Sequence, residues 1–168
     1  MNIRKVKIAI ILLSTLFNYE VMAQSEPRGE ILEYGYYDVV QITERTKNPN
    51  TTSGYENKGK LQLVKTTKVI PIEKGRFLGF MYLITGLPNQ PITELEFVVE
   101  HPEMTKPDGT KSTGFRYVRK LKTYDGAVQG RSGHKFDHPY EMVEGKWRFE
   151  YRYKGKVIVA QEFESVNK

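Results

Sequence analysis

The chain contains three histidines, and all of them fall in two short segments that also carry carboxylates. His101 opens "HPEMTKPDG" with Glu103 and Asp108, while His134 and His138 lie in "HKFDHPYE" with Asp137 and Glu141. Imidazole nitrogens with a carboxylate are the ligand set of zinc and similar ions, and three protein ligands with one open position would make a catalytic site. A metal centre would therefore be built from His101, His134 and His138 with Asp137, Glu141 or Glu103 in support, giving metal binding or metal-dependent hydrolysis as one function class. Against it, His101 and His138 each precede a proline, which holds the backbone extended and marks strand ends and turns. The spacing also fits no zinc motif. The plainer reading has Phe136 and Tyr140 plugging the end of a β-sandwich while Asp137 accepts backbone N–H bonds at a turn. Tyr140 would then bond back to nearby backbone as corner tyrosines do.

Other chemistry has less support. Nucleophilic catalysis needs an activated hydroxyl or amine beside a base, and neither a Gly-x-Ser-x-Gly elbow nor a Ser-x-x-Lys box occurs. Asp108 with Glu103 or Asp137 would offer a carboxylate pair for glycoside hydrolysis, but such pairs arise by chance in any polar domain. The glycines are scattered at turns and cradle no phosphate. "GFRYVRKLK" mixes aromatic and basic residues as a single-strand nucleic-acid binder does, yet strand alternation with aromatics inside and charges in solvent explains it. The expectation is a non-enzyme without a cofactor.

The elements that must carry these residues are strands. Residues 146–153, "KWRFEYRY", alternate charged and aromatic, so Trp147, Phe149, Tyr151 and Tyr153 share one face. A turn at Lys154-Gly155 feeds a Val- and Ile-rich strand over 156–163 and closes a hairpin. A two-residue loop would set Ile158 and Ala160 beside the aromatic face, and an extra bulged residue would set Val157, Val159 and Phe163 there. Residues 91–100 point Leu95, Phe97 and Val99 inward with Glu94, Glu96 and Glu100 outward. Residues 114–123 point Phe115, Tyr117 and Leu121 inward with Arg116, Lys120 and Lys122 outward. Neighbouring pairing of the two would oppose an acidic to a basic row. Residues 76–85 are apolar on both faces and read as a central strand. Strands over 31–42 and 61–72, the second broken near Lys68, precede it, with a long polar loop over 43–59 between them. Several short strands with turns between them predict an all-β, immunoglobulin-like antiparallel sandwich, with an up-and-down barrel as the competing architecture.

On these blocks the chain resembles a known family. "VVEHPEMTKPDGTKSTGF", "KFDHPYE", "EGKWRFEYRYKGKVIVAQEF" and "GRFLGFMYLITGLP" are similar to the blocks of a bacterial exported family known only as a domain of unknown function. The elements His-Pro-x-Met-Thr-x-Pro-Asp-Gly and Phe-Asp-His-Pro-Tyr-Glu recur in order. The resemblance implies an exported sandwich-like domain and carries no assigned catalytic, metal or ligand residue.

The beginning of the sequence agrees with export. A basic stretch (Arg4, Lys5, Lys7), an apolar run over 8–17 and Val21-Met22-Ala23 before a polar segment read as a signal peptide over 1–23. A membrane span needs about 20 apolar residues, and Asn18 and Glu20 interrupt the run too early. The single domain would be 24–168. Loss of Arg4, Lys5, Lys7 and Glu20 would lower the formal charge from +6 to +4, a statement chiefly about solubility. Cysteine is absent, which excludes disulfides, thiolate metal sites and lipid on a cysteine. The reading is a periplasmic or secreted module that binds an envelope protein or glycan through loops at one end, 43–59, 101–113 and 130–141. Its candidate binding residues are His101, Asp108, His134, Asp137, His138, Tyr140 and Glu141. Nucleic acid is not expected as a partner, nor is a membrane span in the mature chain. A structural part in an envelope assembly is the third class.

Overall fold

The computed structural model describes residues 26–167. The signal peptide expected over 1–23 lies outside the described residues. Among the described residues nine strands form two sheets: β1 (Arg28–Lys47), β2 (Tyr55–Lys65), β3 (Val69–Pro71), β4 (Phe77–Thr85), β5 (Ile92–Thr105), β6 (Lys111–Lys122), β7 (Val128–Lys135), β8 (Gly145–Tyr153) and β9 (Lys156–Val166). One sheet runs β2-β1-β4-β7 and the other β3-β9-β8-β5-β6. All pairings are antiparallel except the short β3–β9 contact. The result is the immunoglobulin-like sandwich that the alternation predicts. No helix among the described residues is long and apolar enough to cross a membrane.

The core is aromatic because strand periodicity delivers aromatic residues from both sheets to one interface. Trp147, Phe149 and Tyr151 of β8 are fully buried against Phe80 and Tyr82 of β4 and Phe97 of β5. Phe97 and Tyr151 lie 4.8 Å apart between ring centroids, Tyr82 and Tyr151 4.7 Å. Such pairs add about 0.5–1.5 kcal/mol each beyond their area burial.

The terminal hairpin turns through Lys154 (φ 48°) and Gly155 (φ 79°), the left-handed pair of a two-residue turn whose twist matches the flanking strands. A bulge between Tyr151 and Arg152 then sets Val159 opposite Tyr151 and Phe163 opposite Trp147. The bulged alternative is thus the one adopted beyond the turn, but Val157 pairs with Arg152 and stays exposed. Strands β5 and β6 pair as expected, and Glu94 faces Lys120 at 3.5 Å. The rest of the acidic row does not meet the basic one, because the register sets Glu96 opposite Val118 and Glu100 opposite Gly114.

The loops are shorter than the sequence suggests. Strand β1 runs to Lys47 and β2 starts at Tyr55, so the expected 43–59 loop shrinks to 48–54. Residues 101–105 and 111–113 continue β5 and β6, and 130–135 belong to β7. Polar composition misleads here because these strands are edges or extensions, whose side chains remain in water on one or both faces.

Strand β1 has 20 residues against 9 in β4, so only its first half, Arg28 to Tyr37, pairs with β4. Beyond Tyr37 it pairs with β2 alone. The two form a ribbon that overshoots the sandwich, bends through register shifts at Val39/Gln41 and Ile42/Glu44, and returns its tip to the other sheet.

Candidate functional site

The turns at 48–54, 106–110 and 136–144 meet at one end of the sandwich. The hydroxyl of Thr52, at the ribbon tip, lies 2.8 Å from His101 Nε2 and 3.2 Å from Ser112 Oγ. The backbone N–H of Gly75, in the β3–β4 turn, donates to the Phe136 carbonyl at 2.7 Å.

His101 and His134 are structural parts of this end. His101 shares the parity of Leu95, Phe97 and Val99 and points inward, where its ring lies 5.4 Å from that of Trp147. Its strand does not stop at the His-Pro pair: the pairing of β5 with β6 shifts between Glu100 and Met104 and the strand runs on to Thr105. His101 Nδ1 sits 2.8 Å from the Pro102 carbonyl oxygen. A carbonyl only accepts, so the proton is on Nδ1 and Nε2 is left to accept from Thr52. Both nitrogens are engaged, and burial holds the imidazole below its ordinary range despite the Pro102 carbonyl.

His134 comes from the facing sheet and stacks on Trp147, with centroids 4.7 Å apart and planes 28° apart. Burial, assisted by the nearby His101, drives its pKa down to about 3. Its Nε2 lies 3.9 Å from Glu141 Oε1, beyond hydrogen-bond reach.

The Phe-Asp-His-Pro-Tyr-Glu segment is a capped turn. Phe136 is fully buried as expected. The backbone acceptor, however, is Glu141 rather than Asp137: Glu141 Oε2 takes the N–H groups of Asp137 and His138, each at 2.8 Å. Asp137 instead pairs with Lys135 at 2.7 Å. His138, Pro139 and Glu141 thus make a capping box around a single 3₁₀ turn, Pro139–Glu141, with proline where its missing N–H costs nothing. Glu141 is wholly buried, and desolvation raises its pKa although the two N–H donors pull it back. Tyr140, expected to bond back to backbone, lies flat on His138 at 5.3 Å and 4°. Burial raises its phenol, with the charges of Glu141 and Asp108 adding.

The remaining candidates separate. Asp108 accepts the N–H of Thr110 at 2.9 Å and its hydroxyl at 2.7 Å, which lowers its carboxyl and fixes the β5–β6 turn. Glu103 pairs with Lys111 at 2.6 Å. Each acid of the possible hydrolytic pairs therefore has its own local partner. Among the described residues no group of three His, Cys, Asp or Glu side chains sits close enough to hold a metal ion.

A polar cluster on the open side of the sandwich, between the edges β6 and β7, has no counterpart in the sequence reading. Arg119 of β6 points inward and donates from Nη1 to Tyr151 Oη at 2.7 Å and Ser132 Oγ at 3.1 Å. Its Cζ stands 5.1 Å from the centre of the Phe97 ring. Tyr82 Oη donates to Tyr151 at 3.0 Å. Glu56, from the returning ribbon, closes the cluster: its Oε1 accepts from the Tyr117 hydroxyl and lies 3.3 Å from Arg119 Nη2. The signal for Arg119 was its parity with Phe115, Tyr117 and Leu121. None existed for Glu56, which reaches the cluster only through the bend of the ribbon.

Residues 25–165 match the family described as Domain of unknown function (DUF3859). The chain belongs to that family. Among solved structures, the DUF3859 chain is similar to an immunoglobulin-like protein from Pseudomonas aeruginosa, with 24% identity and a TM-score of 0.60 over 86% of this chain and 99% of that one. At that identity the likeness speaks for the fold alone. A second likeness, to the alkylpurine DNA glycosylase AlkC of Pseudomonas fluorescens bound to DNA containing an abasic site analog, has 12% identity and a TM-score of 0.38 over 60% of this chain and 28% of that one. It is too slight to bear on this DUF3859 member. No curated protein matches the chain.

Proposed function

We propose that the protein is an exported, non-catalytic interaction module, periplasmic or secreted, that recognises an envelope protein or glycan through the end where turns 48–54, 106–110 and 136–144 meet. The observation that carries this reading is the division of labour at that end. The buried His101, Glu141 and Phe136, with the largely covered His134, brace the turns, while His138 and Tyr140 form a flat, half-exposed stack above them. Loops on a rigid sandwich are the usual seat of recognition, and preorganised aromatic surface loses little entropy on binding. The leader-like sequence at 1–23 supports export.

The test is crosslinked capture from an envelope extract with wild type, Tyr140→Ala and Lys156→Ala, the last lying at the opposite end. One partner retained by wild type and Lys156→Ala and lost by Tyr140→Ala is expected. Equal capture by Tyr140→Ala, or recovery of background alone, overturns the reading.

A further inference from the structure

We propose that Arg119 and Tyr117 form a carboxylate-binding site that Glu56 fills in cis, with the β1–β2 ribbon as the lid that an acidic partner segment displaces. This site is on the open side of the sandwich, and its test does not depend on the end-loop reading.

The receiving half is built into the rigid core. Arg119 is anchored through Nη1 to Tyr151 and Ser132 and lies over Phe97. That leaves Nη2 and the Tyr117 hydroxyl converging on one carboxylate oxygen. A guanidinium presents its donors in a fixed plane, so holding one end fixes the direction of the other. Burial opposes the charge of Arg119, and the oxygens of Tyr151, Tyr117 and Glu56 outweigh that and keep it protonated.

The occupying half is not built in. Beyond Tyr37 the ribbon pairs with nothing but itself. Every residue over 41–47 and 57–60 is exposed, and a two-stranded ribbon is at best marginally stable alone. What returns it to the sandwich is polar: Thr52 on His101 and Ser112, and Glu56 on Tyr117 and Arg119. Its bulges supply bending points.

Exchanging one carboxylate for another leaves the desolvation cost of Arg119 unchanged, so occupancy is decided by local concentration. A tethered group reaches an effective concentration on the order of millimolar, within reach of a multivalent acidic segment. The ligand class is therefore a carboxylate on an extended acidic chain.

The direct probe is acetate against chloride at equal ionic strength, read by nuclear magnetic resonance of the Arg119 and Tyr117 side chains. Glu56→Ala is expected to bind acetate at least tenfold more tightly than wild type. The gain should vanish in Glu56→Ala/Arg119→Lys, whose ammonium lacks the fork. If Glu56→Ala fails to fold, Glu56→Ser, too short to reach Tyr117 and Arg119, takes its place with the same expectation. An acetate response equal in wild type and variant, or one that survives Arg119→Lys, overturns the site. The lid is tested separately with Thr52→Cys/Ser112→Cys, whose parent oxygens are 3.2 Å apart in a chain with no other cysteine. Oxidised in the Glu56→Ala background, this pair should admit acetate but weaken binding of a blocked tetraglutamate peptide at least tenfold. Undiminished peptide binding overturns the lid.

Discussion

The sandwich interior and the β1–β2 ribbon are both antiparallel sheet, yet they are stabilised by different physics. Between the sheets, each strand offers a face to a facing layer, and Phe80, Phe97, Phe149 and Trp147 leave water together. The ribbon beyond Tyr37 meets no facing layer, so Val40 and Ile42 remain exposed at 62% and 43%. Its position depends on a few hydrogen bonds and one ion pair. Backbone pairing alone does not fix a strand in place; a second layer does, and where it is missing single polar contacts take over the task.

The comparison breaks most visibly in the core. Phe149→Ala should cost about 3–5 kcal/mol, through lost transfer energy and the cavity left among Phe80, Phe97 and Trp147, and chemical denaturation monitored by circular dichroism measures it. Glu141→Ala should cost less, about 1–3 kcal/mol, because it strips two partly buried N–H groups of their acceptor. Near-ultraviolet signals from Trp147 would report the loosened end as well.

A pH titration of stability sharpens the contrast further. His134 binds a proton below about 6.5 when unfolded but only near pH 3 when folded, so its contribution, complete above pH 6.5, is lost as pH falls from there toward 3. Glu141 works in the opposite sense, its raised folded pKa withdrawing stability as pH rises through it. His134→Phe, which preserves the stack on Trp147, should flatten the first slope to the share that His101 contributes and leave the second. An unchanged profile would contradict the placement of His134.

The smallest effect belongs to the ribbon. Thr52→Ala should change global stability by less than about 1 kcal/mol while accelerating amide exchange over 48–58 well beyond that of β4 or β8. Uniform exchange across both regions would remove the distinction drawn here.

Most strand identities were legible because the signal is local; β7, read as part of the 130–141 loop, was not. The alternation in "KWRFEYRY" declares which side chains of β8 face inward, whatever they face, and His101, His134 and Arg119 all obey the parity of their strands. The turn at Lys154-Gly155 was equally local, since a left-handed pair of residues favours the same few residue types anywhere. The role of Asp137 was misassigned because two acids flank the His-Pro pair and only the fold selects the one that turns inward.

What the amino-acid order determined unaided is thus the strand character, the aromatic core faces, the absence of any thiol chemistry and the segments that turn. Tertiary structure alone decided that β1 overruns its partner, that the ribbon bends back to set Thr52 on His101 and Glu56 on Tyr117, and that two histidines from different sheets flank Trp147. The reason is range: side-chain direction follows from a residue's own strand, whereas contacts between residues 49 or 61 positions apart depend on bends and registers that no local pattern encodes.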